Sequence, residues 1–261
     1  MTTRKKPTAA VASFVSGFAL CALAAASADA ADLPANAPAD LPMAAPEPFP
    51  HWFVRVGVLG VVDQSSSKVY VQPTVGIFGV GPQFQLPGRG ESFSNLLTLS
   101  VQAGYFLTPN LSLDLAGGFP VWQTTRITGY SATGPASGTV LTKTLPASVP
   151  ITAVYHFTQL GALQPYLGVG FAPVFVFATR DAYAVGTSTR PSIAAILQGG
   201  FDYMFNRNWG IFFDAKKYFD RSIGTATGLN VGPPVGVIHA AATGVTIAQP
   251  WVFATGLTYR F

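Results

Sequence analysis

Charge is what this chain has least of. Asp, Glu, Lys and Arg make up 10% of its 261 residues, against roughly 25% in an ordinary soluble domain. So little charge cannot cover a water-exposed surface. Beyond the N-terminus there is also no run of about 20 apolar residues, which excludes spanning helices. The one cysteine, Cys21, lies in the first 30 residues, so disulfide and thiol chemistry are excluded once that segment is removed. Low charge without spanning helices leaves the other structure that satisfies its own backbone in lipid, a closed β-barrel.

The first 30 residues read as a signal peptide. Arg4, Lys5 and Lys6 make a positive start, Ala9 to Ala26 an apolar stretch, and Ala28-Asp29-Ala30 a small-x-small cleavage site. Removing that segment takes the formal charge from +4 to +2, because three bases and Asp29 leave with it. No nucleic-acid partner is indicated. Residues 31–51 are rich in Pro and Ala and are expected to form an extended periplasmic arm.

From Trp52 onward, residues 52–261, segments of alternating pattern recur. Eight strands are predicted, at 52–62, 94–107, 110–126, 145–158, 165–180, 191–205, 208–220 and 250–261. Short connections (108–110, 158–164, 206–208) alternate with long ones rich in Gly, Ser, Thr and Pro (63–93, 127–144, 181–190, 221–249). An even strand number with short turns at one end and long loops at the other is the pattern of outer-membrane barrels. The expected fold is all-β, an eight-stranded antiparallel transmembrane barrel.

A soluble eight-stranded barrel would place bulk inside and charge outside. Here the faces are reversed. One face carries Leu97, Leu99, Val101, Ile193, Leu197, Phe201, Ile211, Phe213, Phe253 and Leu257; the other carries small or polar residues. The inward residues divide by height. Arg55, Gln102, Asp114, Gln198, Asp202 and Arg260 fall toward the short turns, with Asp214 and Lys216 higher. Leu59, Val61, Leu96, Val174, Val176, Ile196 and Val252 fall toward the long loops. Charges of both signs in a narrow lumen are costly unless paired, so the first set is expected to form an ion-paired plug. A filled interior serving stability alone is the plainer alternative.

Trp52, Trp122, Trp209 and Trp251 sit at predicted strand ends, and Tyr105, Tyr155, Tyr203 and Tyr259 at the periplasmic ends, as an aromatic girdle requires. The last segment, "PWVFATGLTYRF", places Phe261 toward lipid and Arg260 toward the lumen. A terminal aromatic on such a strand is the feature read by the barrel-insertion machinery. Both termini are expected in the periplasm.

Several stretches together resemble the OmpW family of small outer-membrane barrels: "WFVRVGVLGV", "AGYFLTPNLSLDLAGGFP", "QPYLGVGF", "GGFDYMFNRNWGIFFDAKKY" and the terminal segment. The resemblance covers nearly all of 52–261, and it implies passive transfer of small hydrophobic molecules. The long first and fourth loops and the Pro-rich arm are this chain's own.

Nothing points to an enzyme or to a cofactor. His156 and His239 have no evident Ser and acid partner of the kind a nucleophile requires. "GIFGVGP" (76–82) lacks the Lys-Ser/Thr of a phosphate cradle, and "GVGFAP" (168–173) departs from the dinucleotide fingerprint at its last position. No His, Cys, Asp and Glu spacing suits a metal. The leading expectation is a conduit for small hydrophobic molecules through an apolar upper lumen, with a lateral window where Pro120, Pro150 and Pro173 interrupt ladder bonding. The alternative is a non-transporting structural or receptor barrel that acts through its extracellular loops.

Overall fold

The structure, a computed structural model, describes residues 49–73, 81–85, 88–129, 135–230, 234 and 236–261. They belong to the second of two compact units, Pro48–Phe261. The expected signal segment and all but the end of the arm lie outside the described residues.

Eight strands close a ring. In spatial order they are β1 (Trp52–Val62), β5 (Leu96–Thr108), β6 (Leu111–Gly118), β9 (Ile151–His156), β10 (Leu163–Asp181), β13 (Ser192–Met204), β14 (Trp209–Asn230) and β16 (Trp251–Arg260), which pairs with β1 again. All pairings are antiparallel, and each ring strand is paired on both sides, as lipid demands of a strand protein. At the seam, Trp52 and Phe261 exchange backbone hydrogen bonds of 3.2 and 3.0 Å.

The period-2 alternation accounts for the two surfaces. Leu97 and Ile193 are 75% and 74% exposed, while Arg55 and His156, among the largest inward side chains, are fully buried. This is a membrane skin around a packed polar interior. Aromatic rings gather where strands end: Trp52 stands 4.9 Å from Tyr105, and Trp209 4.7 Å from Tyr259.

Glycine lets the interior close. A Cβ on Gly104 would come within 2.3 Å of the Phe53 ring, and one on Gly200 within 2.7 Å of Tyr166. Each gives a ring the space in which to lie flat across the lumen.

The long connections are more ordered than their sequence implies. The stretches 63–93 and 221–249, expected as loops, carry β2 (Ser65–Pro73), β3 (Phe84–Gln85), β4 (Gly90–Phe93), the far half of β14, and β15 (Val237–Ala248). β15 pairs with both β14 and β2, so sheet continues well beyond the lipid-facing zone. Two ring strands likewise continue after an interruption, β6 as β7 (Gln123–Thr128) and β9 back into β8 (Val140–Ser148). Short β11 (Ala184–Val185) and β12 (Ser188–Thr189) lie against β14.

At the short-turn end, the last residues of the expected arm dock on the barrel. Phe49 meets Phe106 edge to face at 5.4 Å, and the His51 carbonyl accepts a 2.7 Å bond from the Phe106 amide.

Candidate functional site: a closed lumen with a breached wall

The eight inward polar residues named from sequence meet in one layer. Each is at most 5% exposed. Register explains their meeting: Arg55 is aligned with Gln102 on one side and Thr258 on the other, and Gln198 with Lys216. Arg55 donates to Asp202 Oδ2 at 2.9 Å and lies 3.5 Å from Asp114 Oδ2. Arg260 reaches the same Asp202 oxygen at 2.8 Å. Lys216 pairs with Asp214, whose Oδ2 lies 3.5 Å from Gln102 Nε2, and Gln198 accepts from Thr152 at 2.6 Å. Three cations thus face three carboxylates, and the layer is neutral when all are ionised.

Sequence reasoning missed the aromatic half of this layer. The Arg55 guanidinium lies over Phe53 at 4.4 Å, Tyr166 at 4.9 Å and Phe212 at 5.5 Å, and Arg260 over Phe106 at 5.2 Å. Such contacts hold a desolvated cation more firmly than exposed ones do. The signal was available, because Phe53 stands two residues from Arg55 and Phe212 two from Asp214, on the same face. The sequence likewise shows no partner for His156. Its Nε2 lies 3.0 Å from Ser112 Oγ, which in turn bonds Asp114.

Above this layer is a cavity of about 600 Å³. Gln102, Asp214 and Lys216 form its floor. Leu59, Val61, Leu96, Val174, Val176 and Val252, all named from sequence, line its walls. Ile196 packs with Ala172, Ala194, Tyr218 and Val252 in the adjoining core cluster. Toward the long loops the lining turns polar. There Thr246 donates to Glu91 at 3.3 Å, and burial pushes the Glu91 carboxyl above its usual range.

The wall of this cavity is incomplete. The β6–β9 ladder ends at Leu115–Ile151, with one more bond from the Ala116 amide to the Pro150 carbonyl, and the β7–β8 ladder resumes only at Gln123–Thr144. Among the described residues, no backbone bond joins 117–122 to 145–149. The cavity extends into this gap, since it borders on Phe119, Pro120, Pro146 and Pro150, and also on Ala147 and Phe175 of the outer face. Phe119 is 60% exposed and still lines the cavity.

Prolines account for the gap. In an antiparallel ladder a residue's N–H and C=O point to the same neighbour. The Phe119 amide bonds Leu99 on β5, so Pro120 turns toward β8; the Val149 amide bonds Pro173 on β10, so Pro146 and Pro150 turn toward β6 and β7. Two missing donors, at Pro120 and Pro146, therefore face the opening, and a third, at Pro150, faces Ala116 at its lower edge. Pro173 is not at that opening: it lies in unbroken β10, aligned with Ile193 and bonded by Val149. Pro146, passed over in the sequence, completes the set instead.

A closed ring of eight strands with an apolar skin, aromatic rings at the strand ends and a polar interior defines an integral outer-membrane β-barrel. The OmpW family model matches residues 88–261, and the chain belongs to that family. It is 31% identical over 211 residues to the uncharacterized outer-membrane protein y4mB of Sinorhizobium fredii, covering 80% of each chain. It is 26% identical over 168 residues to the dibenzothiophene metabolism operon protein PahQ of Pseudomonas aeruginosa, covering 64% of this chain and 72% of the relative. The crystal structure of the outer membrane protein OprG from Pseudomonas aeruginosa is similar in fold, with a TM-score of 0.67 at 17% identity over 82% of this chain and 96% of that one.

Proposed function

We propose that the chain gives small hydrophobic molecules a passive path across the outer membrane, entering the upper lumen and leaving sideways. The observation that carries this reading is a cavity closed below by charge and breached at its side. An apolar molecule coming from the long-loop end meets valine and leucine walls. To continue downward it would have to separate buried ion pairs and offer them nothing in return. The gap at 117–122 and 145–149 is bordered by proline, glycine and phenylalanine, and it opens toward lipid, where such a molecule is most stable. Phe119 stands in that gap as a side chain that must swing for passage. The name of the Pseudomonas relative refers to a dibenzothiophene metabolism operon, which supports apolar aromatic molecules as cargo.

In this reading the charged layer is a plug and the chain is not an enzyme. Ser112 lies between His156 and Asp114, so the acid holds the hydroxyl rather than orienting the imidazole, as nucleophile activation requires. Phe261, 56% exposed at the last strand, is the residue offered to the barrel-insertion machinery, and no nucleic acid is a partner.

A strain deleted for the gene should take up a labelled aromatic hydrocarbon such as dibenzothiophene more slowly, and the restored gene should recover the rate. Equal rates with and without the gene would leave a structural or receptor barrel as the better reading.

We place both termini in the periplasm, because the short turns, the start of β1 and the end of β16 share one rim. Protease added to intact cells should then cut within 63–93 or 221–249 and spare the short turns. Cleavage at Asn206–Asn208 from outside would reverse the assignment.

A further inference from the structure

The outward face at the long-loop end carries charge of one sign. Asp114, Asp202 and Asp214 are in the plug, and Asp63, Glu91 and Asp220 border the cavity. The one remaining acidic side chain of the described residues, Asp181, is turned onto its own loop by the Gly186 and Thr187 amides and the Thr187 hydroxyl. The bases are not so confined.

Lys143 on β8 and Arg180 on β10 stand directly opposite each other. Thr142 and Thr144, on either side of Lys143, line the cavity, so both cations point outward, and both are exposed. Arg126, between the buried Thr125 and Ile127 on β7, shares this face. Like charges directly opposed across a ladder destabilise it. Among the described residues neither Lys143 nor Arg180 has an acidic partner to offset that cost.

Arg180 and Arg126 are nonetheless held in place. The Arg180 guanidinium lies 4.1 Å over the Trp122 ring, a cation–π contact that uses none of its N–H donors. Arg126 Nη1 is fixed by the Gly138 carbonyl at 2.9 Å. Toward the lipid zone, Phe175 and Phe177 pack edge to face at 5.0 Å, and Phe177 is 62% exposed. Oriented cations above exposed apolar rings complement a phosphate carried on acyl chains. Free phosphate would make no use of the rings.

We infer that the face formed by Arg126, Lys143 and Arg180, with Trp122 and Phe177 below it, binds the phosphorylated headgroup of an outer-leaflet glycolipid. Arg180 supplies paired donors to phosphate oxygens and Lys143 a compact charge beside them. The bound phosphate removes the repulsion between the two cations. The leaflet rests on the proposed orientation, with the long loops outside; the binding itself does not.

The test uses the purified barrel in zwitterionic detergent, with diphosphoryl lipid A, fully dephosphorylated lipid A and pyrophosphate as probes. Lys143→Gln/Arg180→Gln should weaken diphosphoryl lipid A binding about thirtyfold, as expected for two interfacial cations. Arg207→Gln at the opposite rim should bind as the parent does, and Lys143→Arg should retain binding. Heat-modifiable migration reports folding of each variant; should the double variant not refold, Lys143→Gln alone should weaken binding about fivefold. Unchanged affinity in the neutralised variants would overturn the site. So would equal binding of dephosphorylated lipid, which would mean apolar adhesion only, or pyrophosphate binding as tightly as lipid A, which would mean a free-phosphate site. Reversed topology in the protease experiment would overturn the leaflet and leave the binding result standing, so the two failures are distinguishable.

Discussion

Asp202→Asn is expected to lower the stability of the barrel by about 3–5 kcal/mol, the cost of leaving a buried charge without its partner. One oxygen of Asp202 receives both Arg55 and Arg260, at 2.9 and 2.8 Å, and all three side chains are buried. Neutralising it leaves two guanidiniums facing each other with Asp114, 3.5 Å from Arg55, as the nearest remaining counter-charge. Arg260→Gln should cost less, because Asp202 then keeps Arg55 and the layer loses a cation that it had shared. Urea unfolding in detergent micelles, followed by loss of heat-modifiable migration, gives both midpoints. If Asp202→Asn and Arg260→Gln shift them equally, or neither shifts them, the layer is solvated and does not act as an ion-paired plug.

The barrel was legible because lipid imposes a strict alternation. Where one face meets hydrocarbon and the other a narrow lumen, as along Leu97, Leu99 and Val101 on β5, the pattern has one reading. Above the membrane that contrast fades. β2 reads "SSSKVYVQP" and β15 "VIHAAATGVTIA", with small, polar and apolar residues on both faces, so they resemble loops although they pair over nine positions. The plug charges were legible because each is a rare polar residue on a face of small ones. The rings beside them lie on the same face by the same alternation, but bulk on an inward face runs against the rule that bulk faces lipid. Phe53, Phe106, Tyr166 and Phe212 share the inward face with the charges, and Gly104 and Gly200 make room for Phe53 and Tyr166. The meeting of His156 with Ser112 depends on a cross-strand diagonal between β9 and β6, which no single-strand pattern contains. Pro146 was hidden by a boundary. With the fourth strand expected to begin at residue 145, a proline one position later reads as its start rather than as a break between β8 and its neighbour.

Restoring the three donors at the gap and its edge should close it. In Pro120→Val/Pro146→Val/Pro150→Val the new amides at 120 and 146 point from both sides into the interval where 117–122 and 145–149 are unpaired, and the one at 150 points to Ala116 at its edge. Valine has high strand propensity, and each new N–H in this lipid-facing wall needs a partner, because none is available from hydrocarbon. The two edges are therefore driven together, and Phe119 loses the opening in which it stands. Uptake of a labelled aromatic hydrocarbon should fall to the level of cells without the gene, while insertion and heat-modifiable migration stay intact. Pro173→Val is the control. It adds one donor to the β9–β10 ladder, already bonded through Val149, and should leave uptake as it was. A folded triple variant that still transports at the parental rate would remove the lateral route, as the charged floor would then have to be the way through. A fall in the Pro173 variant as large as in the triple variant would place the effect in general stiffening of the wall rather than in this gap.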